Sequence, residues 1–85
     1  MGQYGKLVER ILSGRQDASI PFSEAVSLIQ RLGFSMRIKG SHHIFSREGI
    51  DEIINLQPNG SNIKAYQVKQ IRDLMVKYQL GVENE

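Results

Sequence analysis

Arg37, Ile38, Lys39, Gly40, Ser41, His42, His43, Ile44 and Phe45 follow one another near the middle of the chain, and this run holds both of its histidines. An imidazole with an ordinary pKa of about 6.5 takes or gives a proton near neutral pH. Here the pair follows two cations and a glycine turn. Proton transfer beside fixed positive charge is the minimal equipment for phosphate chemistry. Between Ala25 and Arg47 there is no acidic residue, while Arg31, Arg37, Lys39 and Arg47 all fall there; the acid sits elsewhere, at Glu48, Asp51 and Glu52 and at Glu83 and Glu85.

Adjacent residues on a strand point to opposite faces, so a regular strand beginning at His42 shows one imidazole to each side. If His43 shares the face of Phe45, it lies against whatever covers the sheet. His42 then stands beside the row of Arg37 and Lys39, with Ile44 sharing its face and partly exposed. His42 is therefore the candidate for proton transfer. The plain alternatives carry weight: histidines in small domains are usually surface or core residues, and cations on an amphipathic strand are usually its solvated side, where they blunt aggregation. Lys64, Lys69, Arg72 and Lys77 read most simply as a solvated helix face. The histidine pair is a poor metal site, because strand ligands should alternate and a usual zinc set needs three or four donors. With no cysteine and no third histidine in the chain, neither a metal nor another cofactor is expected.

The elements that must position these groups follow from periodicity. A chain of 85 residues with no cysteine is one thin-cored domain that packing alone must stabilise. Its net charge of +2 is too mild to imply nucleic acid by itself. No apolar stretch approaches the roughly 20 residues that span a bilayer and no signal-peptide pattern opens the chain, so a cytoplasmic location is expected. Tyr4, Leu7, Val8, Ile11 and Leu12 predict a first helix that Ser13 and Gly14 stop. After a polar connector from Arg15 to Ile20, Pro21 opens a second helix with the stripe Phe22, Ala25, Val26, Ile29 and Leu32, and Gly33 ends it. The period then drops to two, with Phe34, Met36 and Ile38 as the inner side of a strand. Gly40 and Ser41 form a tight hairpin, His42 to Arg47 a second strand, Glu48 and Gly49 a turn, and Ile53 to Gln57 a third strand ended by Pro58, Asn59 and Gly60. Ser61 or Asn62 offers a cap before a helix from Tyr66 to Gln79, with Val68, Ile71, Met75 and Tyr78 on its apolar face. The fold class is α+β: helices on one face of a three-stranded antiparallel sheet, the other face wet.

The order of these elements, the Leu32-Gly33-Phe34 helix end, the block from Gly40 to Phe45 and the Ile71-Arg72-Asp73-Leu74 core of the last helix together resemble the HicA (YcfA-like) mRNA interferase toxins, from about Ser19 to Leu80. The resemblance implies a double-stranded-RNA-binding-domain-like fold of the form α-(α-β-β-β-α), with residues 18–82 as the toxin domain, 1–17 as an additional N-terminal helix and connector, and 83–85 as an acidic tail. It implies a metal-independent, ribosome-independent endoribonuclease acting on mRNA in a toxin-antitoxin system that restrains growth under stress. The family's catalytic histidine corresponds to His42, with Gly40 and Ser41 shaping its approach; Arg37, Lys39 and Lys64 would hold the RNA phosphate. A HicB-type antitoxin would bind the protein and cover the site, in a hetero-oligomer or alongside a homodimer. Two departures stand out: the extra helix from Tyr4 to Leu12, and Ser46 intervening before Arg47 where the family often continues with basic residues. The competing expectations are a non-catalytic RNA-binding module using the same sheet, and a protein-interaction domain.

Overall fold

The computed structural model describes residues 3–81; the acidic tail at 83–85 lies outside them. Helix α1 spans Gln3–Ser13 and buries Leu7, Val8 and Ile11. It stops at Gly14, whose φ of 73° suits a residue without Cβ. The connector is not merely polar: a 3-10 turn at Asp17–Ser19 precedes Ile20, which is fully buried. Helix α2, Phe22–Arg31, starts after Pro21, where a missing N–H costs nothing. Ala25, Leu28 and Ile29 face the core, and the helix ends at Leu32 and Gly33, which has φ 98°.

Three strands follow, β1 (Ser35–Lys39), β2 (His42–Arg47) and β3 (Ile50–Leu56), in an antiparallel meander of order β1-β2-β3. Gly40 (φ 62°) and Ser41 make the two-residue reversal that pairs Lys39 with His42. The third strand begins at Ile50 rather than Ile53. An irregularity between Phe45 and Arg47 lets Arg47 pair with Ile50 across the Glu48-Gly49 turn, so pairing resumes sooner than hydropathy suggests. Helix α3, Ala65–Tyr78, closes the fold and buries Val68, Ile71, Leu74 and Met75.

The helices cover one face of the sheet. Phe45, Ile54 and Leu56 point into the same apolar cluster as Ile11, Ile29 and Ile71. Removing a ring as deeply placed as that of Phe45, which is 0% exposed, would cost about 3–5 kcal/mol. The helix α1 therefore belongs to the common core. Burial fades along the inner side of β1 toward the hairpin, from Phe34 through half-buried Met36 to Ile38, which is 62% exposed. Alternation predicts a buried Ile38, but it lies on the covered face where the helical layer runs out.

Two further features depart from the sequence pattern. Arg72 is not on a solvated face: its guanidinium donates to both carboxylate oxygens of Asp17 at 3.0 and 3.1 Å and to the Ile11 carbonyl at 3.1 Å. One side chain thus ties α3 to α1 and to the 3-10 turn. Neither Ser61 nor Asn62 caps α3. The Lys64 N–H donates instead to Gln67 Oε1 at 3.0 Å, while the loop before it is sewn to the α1–α2 connector through Phe22 N–H to Ser61 O and Ile63 N–H to Ile20 O. No helix among the described residues is long and apolar enough to cross a membrane.

Candidate functional site

Strand alternation sorts the two imidazoles. His43 shares its face with Phe45 and meets the ring of Phe22 edge-on, with centroids 4.8 Å apart; its Nδ1 is buried without a hydrogen-bond partner. His42 points the other way and is exposed. In the β1–β2 register Lys39 lies directly across from His42, and Arg37 across from Ile44, so all four side chains share the uncovered face. Directly opposed residues bring their Cβ atoms within about 5.5 Å. A cation and an imidazole are therefore neighbours here by construction of the hairpin.

The third strand completes the site. Asn55 pairs with Ile44 in register, and its Oδ1 lies 3.1 Å from His42 Nδ1. Two residues on, Gln57 Nε2 donates to Ser41 Oγ at 3.0 Å, fixing the hairpin lip. A Cβ placed on Gly40 would have nothing within 4 Å, so the approach to the lip is open. Among the sequence candidates, the structure brings His42, Arg37, Lys39, Gly40 and Ser41 to one face and its hairpin end. Lys64 is carried by a different element, the head of α3. Arg47 is used structurally: its guanidinium donates to the Leu32 carbonyl at 2.9 Å and so satisfies the C-terminal end of α2.

Asn55 and Gln57 were not singled out by sequence. Their signal was present in the pairing rule, because the tight turn at Gly40-Ser41 fixes one register and alternation then places Asn55 on the face of His42. Reading it required the register of β3 as well, and that depends on the irregularity at Phe45–Arg47.

Charge is distributed unevenly around the fold. Arg10 lies 3.9 Å from Glu24, Lys69 3.0 Å from Asp73, and Lys77 2.7 Å from Glu52, in addition to the Arg72–Asp17 pair. Among the described residues, Arg37 and Lys39 form no ion pair. Glu52 is held down to about 2 by hydrogen bonds from Lys77 and Tyr78, the Tyr78 hydroxyl donating at 2.6 Å. That cluster joins β3 to α3 and is not part of the outer face.

The family model described as "HicA toxin of bacterial toxin-antitoxin" matches residues 22–81, more than half of the chain. The chain belongs to the HicA toxin family. The match begins at the first residue of α2 and takes in the whole sheet and α3, so the outer face with His42 is part of the HicA region and α1 precedes it. As a HicA-family toxin the protein belongs to a toxin-antitoxin pair, whose other member is an antitoxin. No curated protein and no solved structure matches the chain.

Proposed function

We propose that this HicA-family toxin is an endoribonuclease that cuts mRNA with His42 as general base and Arg37 and Lys39 as phosphate ligands. The observation that carries the reading is the placement of an exposed imidazole directly across from a lysine that forms no ion pair, on a sheet face that the helices leave open. RNA brings its own nucleophile. His42 accepts the 2′-hydroxyl proton, the 2′-oxygen forms a bond to phosphorus, and the bond from phosphorus to the 5′-oxygen breaks. The departing oxygen takes a proton from solvent, and the imidazolium returns its own to solvent, leaving a cyclic phosphate and a 5′-hydroxyl. Lys39 and Arg37 oppose the charge that builds on the phosphate. Gly40 and Ser41 keep the lip low enough for the chain to approach, and Lys64, at the head of α3, is the remaining candidate phosphate ligand. An antitoxin of the HicB type, covering this face, would silence it.

The same face bears on what is read. The chain has three phenylalanines, three tyrosines and no tryptophan. Phe34 and Phe45 are buried, Phe22 lies under the sheet against His43, Tyr4 carries Arg31 over its ring, Tyr78 is bound to Glu52 and Tyr66 stands on α3. None lies on the outer face. Recognition of unpaired bases usually relies on aromatic stacking, so contacts to phosphate and ribose dominate here and cleavage has weak base preference. General-base help is typically about 10²- to 10⁴-fold, which makes this a modest enzyme.

Purified protein incubated with RNA in the presence of chelator should yield fragments, and His42→Ala should lose them while keeping its thermal transition. RNA retained but uncut by the wild-type protein would make this a binding module. Fragments undiminished in His42→Ala would exclude the imidazole as base.

A further inference from the structure

Gln67 is the only polar residue among the buried ones described, 3% exposed, and a buried amide in so small a core calls for a reason. Its Nε2 donates to the backbone carbonyl of Asn55 at 3.2 Å, and its Oε1 accepts from the Lys64 N–H at 3.0 Å. The first turn of α3 thus grips the backbone of the residue whose side chain reaches His42 on the opposite side of the sheet. A carboxamide oxygen can only accept. The 3.1 Å contact of Asn55 Oδ1 with His42 Nδ1 therefore places the proton of the neutral ring on Nδ1 and leaves the lone pair on Nε2.

We propose that Asn55 is the positioning residue of the site: it holds His42 as the Nδ1–H tautomer, so that Nε2 is the nitrogen that accepts the proton, and Gln67 anchors it from the helical layer. This rests on the reading of His42 as general base. Which ring nitrogen is protonated is set by the bond the other one makes, and a base in the wrong tautomer presents an N–H where a lone pair is needed. Asn55 makes no contact with the reacting atoms; it acts through the imidazole. The groups facing His42 are Lys39 and then Arg37 from β1, with Asn55 and Gln57 from β3. Asp51, the nearest carboxylate on that side of β3 by alternation, lies four residues from Asn55 along the strand. Among the described residues, no carboxylate of β1 or β2 shares that face to compete with the amide for Nδ1–H.

The test has two arms on the intact protein. Nitrogen-15 NMR of the neutral His42 ring should show Nδ1 protonated in the wild type and lose that bias in Asn55→Leu; this arm reads the tautomer whether or not RNA is cut. In the cleavage arm, Asn55→Leu should lower kcat by about 10-fold or more, within the range that general-base catalysis supplies, with little change in KM. Asn55→Asp should restore the Nδ1–H tautomer and move the rise of rate with pH to higher pH, because a carboxylate stabilises the imidazolium. Gln67→Met, which keeps the packing, should weaken the tautomer bias without abolishing it. Protonation of Nε2 in the wild type, or an unchanged kcat in Asn55→Leu while His42→Ala is dead, would overturn the assignment of Asn55 and leave the nuclease reading intact.

Discussion

Asp17→Asn is the substitution whose effect on stability the structure determines best. The Asp17 carboxylate accepts two hydrogen bonds from Arg72, at 3.0 and 3.1 Å, and the two side chains are only 20% and 21% exposed. Hydrogen bonds to charged groups contribute about 1.5–3 kcal/mol when shielded, whereas exposed ion pairs give about 0–1 kcal/mol. The asparagine keeps one acceptor and loses the charge, so the loss should be about 1.5–2 kcal/mol, the lower part of the shielded range. In a domain of this size each kcal/mol moves Tm by about 4–8 °C, so a fall of about 10 °C is expected. Lys69→Gln is the control. It breaks a pair of the same 3.0 Å length, but with side chains 66% and 61% exposed, and should cost about 0.3–0.5 kcal/mol. Circular dichroism melts of both variants, with Arg72→Gln added to close a double-mutant cycle, measure the difference. Equal small shifts for Asp17→Asn and Lys69→Gln would refute the argument that exposure, not distance, decides the worth of these pairs.

Acid stability provides another check. Because Glu52 titrates at about 2 rather than at its ordinary 4.5, its contribution is fully present above about 4.5 and fades as pH falls toward 2; Glu52→Gln should flatten the urea midpoint across that window, and an unaltered slope would remove Glu52 from the account. Tyr78 and Lys77 are raised by the same carboxylate, so their share is present below their unfolded values and disappears as pH rises through the folded ones. Gly33→Ala forces a side chain onto φ 98° and should cost about 1–2 kcal/mol in the same melts. Lys39→Gln should reduce the slope of log RNA affinity against log salt by about 0.7, the value for one phosphate contact on a single strand; an identical slope would exclude Lys39 from the interface.

Local periodicity made most of the fold legible. The stripes of α1, α2 and α3, the Gly40-Ser41 reversal and the opposite orientation of His42 and His43 all follow from spacing, because helix and strand repeats act over a few residues. The features that escaped are long-range. Arg72 lies on the polar side of its own helix by every local criterion, and only the arrival of Asp17, 55 residues away in sequence, converts it from a solvated cation into a tie between layers. Arg47 is one of the cations of the acid-free stretch, and only the approach of the C-terminal end of α2, 15 residues away in sequence, commits its guanidinium to the Leu32 carbonyl. Ile38 obeys alternation yet stays exposed, since alternation assigns a face but cannot say how far a helical layer extends over it.

The ion pairs among the described residues lie away from the outer face, and that placement would separate stability from the proposed RNA binding. The ion pairs of the described residues lie on helices, the 3-10 turn and the inward Glu52, while Arg37 and Lys39 remain uncompensated on the outer face. A net charge of +2 cannot steer a polyanion from a distance, so the field that matters is local and is screened over about 8 Å at physiological salt. Outer-face substitutions should therefore alter RNA affinity and its salt dependence while leaving Tm nearly unchanged. Asp17, Arg72 and Glu52 should do the reverse. Asn55 and Gln67 are the residues that cross this division, because the backbone bond on one side of the sheet and the imidazole bond on the other belong to a single asparagine.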